Sequence, residues 1–162
     1  MRIKLTLQPF DKESSIPLNY QYYLSSAIYR IIEQSSTEYA TQLHNAANLN
    51  FGKSFKHFCF SQLYPQHSFV KDGAIHLNGD RIIWYVGMSI DDTLKHFIVG
   101  LFEKREFFIG NDRNRFMVQF VELLPEPKYT QRMNFRMLSP VTASIPVKNF
   151  GKLQARYLFA DD

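Results

Sequence analysis

Tyr20, Leu24, Ala27, Ile28, Ile31 and Ile32 recur at i, i+4, i+7, i+8, i+11 and i+12, which is one apolar stripe on a helix of about 3.6 residues per turn. A helix with a single apolar stripe has to lay it on a second layer, because isolated helices of this length are marginal in water. The layer is announced upstream. Ile3, Leu5 and Leu7 alternate with Arg2, Lys4 and Thr6, the pattern of a strand with one buried face. Strand and helix together predict an α+β domain in which helices cover one side of a sheet, with Asn19 as the N-cap of the first helix.

The rest of the chain extends this pattern. Ser35-Ser36-Thr37-Glu38 has the spacing of a capping box and predicts a short extra helix that buries Tyr39, Ala40 and Leu43 and reaches Ala47. Phe55 to Gln62 reads as a second strand and Arg81 to Met88 as a third, joined by a loop with Pro65, Gly73 and Gly79 that holds a short strand near Ala74 to Leu77. Ser89, with Asp92 three residues on, is placed to cap a helix packed through Ile90, Leu94, Phe97, Ile98 and Leu101. Glu106 to Ile109 and Arg115 to Leu124 flank a Gly110-Asn111-Asp112 turn and close the sheet. The order β-α-β-β-α-β is that of the ferredoxin-like fold. Pro125-Glu126-Pro127 interrupts both helix and strand pairing, so residues 1–126 are expected to form this domain. Residues 127–162 are expected to be a linker and the incomplete beginning of a second domain.

At about 100° per residue, Tyr22, Ser26, Tyr29 and Glu33 fall opposite the apolar stripe. Tyrosines there either cover a neighbouring loop or line a binding or catalytic surface. His44 lies near the end of the second helix, where the partial negative charge of the helix terminus favours an imidazolium. The formal net charge of +4 and the sequence pI near 9.2 favour a polyanionic partner. From Lys104 to Arg136 there are seven basic residues against four acidic ones, a phosphate-tracking surface or a strand edge protected by charge.

Other classes are excluded by what the sequence lacks. The single cysteine, Cys59, can close no intrachain disulfide, which fits a reducing cytoplasm, and no apolar run approaches a membrane span. The histidines at 44, 57, 67, 76 and 96 show no metal-ligand spacing, and no phosphate-binding glycine loop occurs, so neither metal nor cofactor is expected.

Four segments in order carry a family likeness: M-R-I-K-L-T-L-Q-P, I-P-L-N-Y-Q-Y-Y-L-S-S-A-I-Y, Y-A-T-Q-L-H and M-L-S-P-V-T. The set resembles the CRISPR-associated endoribonucleases, of the Cas-six type, that cut precursor CRISPR RNA within its repeats. The resemblance implies two ferredoxin-like domains in tandem, the second opening at Met137-Leu138-Ser139-Pro140-Val141. It also implies metal-independent cleavage by 2′-hydroxyl attack, leaving a 2′,3′-cyclic phosphate and a 5′-hydroxyl. It puts the family's catalytic tyrosine on Tyr29, its histidine on His44 and its lysine on Lys56, with Lys53 as competitor. RNA contacts are then expected from Tyr22, Lys53, Arg105, Arg113, Arg115 and Arg132.

These residue types suit that reaction. A neutral imidazole can take the ribose hydroxyl proton, and a phenol can donate to the departing 5′-oxygen. An ammonium facing the phosphoryl oxygens stabilises the transition state by roughly 2 to 4 kcal/mol. His44 is assigned as base and Tyr29 as acid, with the reverse left open. The chain departs from the family in having no glycine-rich stretch near its end, its seven glycines being mostly scattered in turns. The residues after 127 therefore imply completion by further chain, by self-association or by a partner, within or outside a CRISPR effector complex. A repeat-binding module that does not cleave and a protein-interaction subunit are the alternative functions.

Overall fold

A computed structural model of the chain describes residues 1–11, 13–46, 57–111, 113–134, 143–149 and 152–158. The chain divides into two compact units, Met1–Glu126 and Pro127–Asp162. The first unit runs β1 (Arg2–Pro9), β2 (Ser15–Pro17), α1 (Tyr20–Ser35), α2 (Thr37–Ala46), β3 (Phe58–Phe60), β4 (Tyr64–Lys71), β5 (Ala74–Met88), α3 (Asp91–Lys104), β6 (Glu106–Phe108) and β7 (Arg115–Leu124). The second holds an antiparallel hairpin of β8 (Ala143–Asn149) and β9 (Lys152–Leu158), with Ala143 opposite Leu158. Phe135 to Thr142, including Met137-Leu138-Ser139-Pro140-Val141, lies outside the described residues.

All strand pairs of the first unit are antiparallel, and β1 sits between β5 and β7, with β4 against the far side of β5. This is the ferredoxin-like arrangement, with α1 and α3 on one face. Ile3, Leu5 and Leu7 of β1, Ile82, Trp84, Val86 and Met88 of β5, and Phe116 of β7 are buried beneath Leu24, Ile28, Ile31 and Ile32 of α1 and Leu94, Phe97 and Leu101 of α3. The two helices touch at Gly100, where an added Cβ would stand 1.8 Å from the Ile31 carbonyl oxygen. Only a residue with no side chain allows that approach.

Several local expectations are corrected. Ser36, not Ser35, caps α2, its hydroxyl accepting from the Tyr39 amide at 3.1 Å. Ser35 instead meets His96 Nδ1 at 2.9 Å. Asn19 stands at the N-cap of α1 without a side-chain hydrogen bond, and α3 starts after Ile90, because the Ser89 hydroxyl donates to the His57 carbonyl. The expected loop around residues 64 to 80 is a long hairpin, β4 with β5, turning at Asp72 (φ 51°) and Gly73 (φ 73°). Two successive left-handed residues make the tight turn matched to strand twist. The hairpin is exposed along most of β4, so its sequence carries little alternation of apolar and polar residues. The second strand is correspondingly short, Phe58–Phe60, and Phe55 lies outside the described residues. β2, paired with the start of β5, was not foreseen.

Candidate functional site

α2 is docked on α3 through one aromatic residue. The Tyr39 hydroxyl meets Thr93 Oγ1 at 2.6 Å, and the His96 ring stacks on Tyr39 with centroids 4.2 Å apart. Thr93 is fully buried, so the contact fixes α2 against the helix layer. The docking carries His44, in the last turn of α2 and exposed, to the flank of α1 where Tyr29 projects.

Tyr29 and His44 face each other edge-on, ring centroids 6.0 Å apart and planes at 64°. Phe58, the first residue of β3, also packs edge-on against the Tyr29 ring, at 5.3 Å and 74°. The tyrosine is therefore half-buried against the margin of the core rather than standing free opposite the apolar stripe. Burial pushes its phenol above the ordinary value of 10.0, so across the neutral range it is an O–H donor and not a base. Phe58 was not singled out from the sequence. Its apolar neighbours Cys59 and Phe60 made it look like ordinary strand core, and only the tertiary structure shows it orienting the tyrosine.

Tyr22 lies two turns before Tyr29 on α1 and is 71% exposed, its ring edge-on to Tyr23 at 5.6 Å. Lys53 and Lys56 lie outside the described residues, as does Arg136. Arg105, Arg113 and Arg115 gather elsewhere, around β6, β7 and their turn. Between β3 and β7 stand β5 and β1, a separation of roughly 14 Å at about 4.8 Å per strand. Arg105 caps α3 in a left-handed conformation (φ 53°) and lines a surface pocket of about 250 Å³ with Leu101, Phe102 and Gln119. Arg113 is exposed in the turn, and Arg115 lies over the Phe10 ring at 4.0 Å and 3.8 Å from Glu106. Arg132 is exposed in the second unit. Among the described residues no three His, Cys, Asp or Glu side chains gather where they could hold a metal ion, and no helix is long and apolar enough to cross a membrane.

The family model for the N-terminal part of CRISPR-associated protein Cas6 matches residues 15–122. The chain belongs to the Cas6 family. It is 34% identical over 128 residues to CRISPR-associated endoribonuclease Cas6 1 of Methanocaldococcus jannaschii, a match covering 79% of this chain and 47% of that protein. It is 27% identical over 147 residues to CRISPR-associated endoribonuclease Cas6 of Pyrococcus furiosus, covering 90% of this chain and 53% of that one. This Cas6-family chain thus spans about half the length of the curated relatives it matches. Among solved structures, a CRISPR associated protein Cas6 superposes over 100% of this chain and 63% of its own, with TM-score 0.71 and 30% identity. An RAMP protein described as binding different RNA substrates shares the fold at TM-score 0.78 and 21% identity, over 100% of this chain and 64% of its own.

Proposed function

We propose that this chain is the part of a CRISPR repeat RNA endoribonuclease that carries its catalytic tyrosine and histidine. The observation that supports this reading best is the edge-on meeting of Tyr29 and His44 at the α1–α2 junction, two residues brought together by packing and not by sequence proximity. In the proposed reaction His44 removes the 2′-hydroxyl proton, the oxygen attacks the adjacent phosphorus, and the 5′-oxygen leaves with a hydrogen bond or proton from the neutral Tyr29 phenol. The products are a 2′,3′-cyclic phosphate and a 5′-hydroxyl, formed without metal. Lys56, with Lys53 as the alternative, supplies the cation facing the phosphoryl oxygens. The exposed ring of Tyr22 offers a stacking surface for an RNA base along α1.

In the same reading residues 127–162 open a second ferredoxin-like domain, completed by further chain, by a partner or by a second copy. RNA affinity is expected to be weak without that completion, and the cleavage rate low, because positioning accounts for several kcal/mol of the barrier.

The test is incubation of the chain, joined to a complete second domain, with CRISPR repeat RNA in EDTA. Cyclic-phosphate products that disappear with a deoxyribose at the cleaved linkage are expected, as is a loss of about 100-fold or more in rate for His44→Ala with RNA affinity retained. Tyr29→Phe should slow cleavage without weakening binding. Retention of repeat RNA with no products would refute the nuclease reading and establish a binding module. Equal rates for His44→Ala and its parent would remove His44 from the mechanism.

A further inference from the structure

A cavity of about 100 Å³ opens between α1, α3 and β6. Gln34, which lines it, follows Tyr29 by five residues, roughly 140° round the helix, so the cavity lies on the flank of α1 away from the Tyr29–His44 pair. Its walls are apolar where Ala27, Ile31 and Phe107 contribute. At its rim are the exposed side chains of Arg30 and Lys104, and among the described residues neither is paired with a carboxylate. The Gln34 side-chain oxygen is buried with no hydrogen-bond partner, an unfavourable state for a carbonyl. Its terminal amide turns about a soft torsion, so a donor entering the cavity can be met by that oxygen. Glu106, whose carboxylate also lies 3.8 Å from Arg115, lines the same wall as a second acceptor.

Apolar walls suit a flat ring. A carbonyl in need of a donor, beside a carboxylate, suits an amino group on that ring, and two rim cations suit a phosphate. We propose that this cavity receives the base edge of one unstacked nucleotide of single-stranded RNA, its exocyclic amine donating to Gln34, while the ribose and phosphate stay at the open rim, the phosphate against Arg30 and Lys104. The breadth of one helix, roughly 10 Å, separates it from the Tyr29 flank, a span a few nucleotides of one strand can bridge. The nucleotide's source rests on the RNA reading above, but its binding does not depend on cleavage.

The test is a titration of the ¹⁵N-labelled chain with AMP, CMP, GMP and UMP and with inorganic phosphate, followed by amide chemical shifts. The amine-bearing nucleotides are expected to move the amides of Ala27, Ile31, Gln34 and Phe107 saturably at millimolar concentration, with UMP weaker. Gln34→Leu should weaken binding about tenfold without lowering the melting temperature, because it deletes an unsatisfied acceptor, while Gln34→Glu keeps an acceptor and keeps binding. No shift at those amides, equal shifts with inorganic phosphate or UMP, or unaltered binding by Gln34→Leu would overturn the proposal. Nucleotide binding in a chain that never cuts repeat RNA leaves this site standing and removes the nuclease. Cleavage with a silent cavity does the opposite.

Discussion

Gly100→Ala concentrates the architecture into one methyl group. On an exposed helix the exchange adds about 1 kcal/mol of stability, because alanine is the better helix former. Here the new Cβ would lie 1.8 Å from the Ile31 carbonyl oxygen and 2.8 Å from its carbonyl carbon, and both are backbone atoms that cannot rotate aside. Reaching ordinary contact near 3.4 Å requires α1 and α3 to separate by something over an ångström along that line. Overpacking of this kind costs roughly 1 to 3 kcal/mol, and more where backbone must move. A net loss of about 2 kcal/mol follows after the propensity gain. For a unit of 126 residues that corresponds to a fall in melting temperature of roughly 6 to 10 °C. Thermal and urea unfolding followed by circular dichroism measures it. The displaced helix is also the one that carries Tyr29, the acid of the proposed reaction, and a shift of about 1 Å at such a group can cost on the order of 100-fold in rate. Under the proposed nuclease function, repeat RNA cleavage at a temperature where the variant is still folded should fall accordingly. A melting temperature equal to or above the parent's would refute the claim that glycine is required for the helix crossing.

Two further outcomes follow from buried phenols. The Leu63 amide donates to the Tyr20 hydroxyl at 3.2 Å in a buried setting, so Tyr20→Phe should leave that N–H unsatisfied and cost roughly 1 to 3 kcal/mol in urea unfolding; an unchanged midpoint would show that the amide finds another partner. Burial is the largest cause that raises both the Tyr20 and Tyr29 phenols above 10.0, so their neutral forms are favoured in the folded state. Their contribution to stability is complete below the unfolded value and is lost as pH rises through the raised folded values. Unfolding midpoints measured from neutral pH upward should therefore drop in the alkaline region beyond 10.0, less steeply for Tyr29→Phe than for the parent, and an identical slope would exclude Tyr29 as a contributor.

What could be read in advance was whatever burial on one face imposes on neighbouring residues. The stripe from Tyr20 to Ile32, the alternation of Ile3, Leu5 and Leu7, and the glycine turn between β6 and β7 are all local signals, and together they set the β-α-β-β-α-β order. Exposed pairing leaves no such trace. β4 forms long contacts with β5 while showing most of its residues to solvent, and β2 is held by a partner nearly 60 residues away, so neither had a periodicity to detect. The capping serine was misplaced by one position because Ser35 and Ser36 are chemically alike, and which of them caps is decided by His96 of α3 reaching the other.

The site divides along the same line. Tyr29 and His44 can be named from residue type and family likeness, since the chemistry of a side chain belongs to the sequence. That their rings meet at 6.0 Å, that Phe58 packs edge-on against the Tyr29 ring, and that Arg30, Gln34 and Lys104 share a cavity are products of packing between α1, α2, α3, β3 and β6. The chain alone determined the elements that bury one face and which groups are available for chemistry. The tertiary structure decided which of those groups are neighbours, because contacts between residues far apart in sequence depend on the shape and burial of every layer between them.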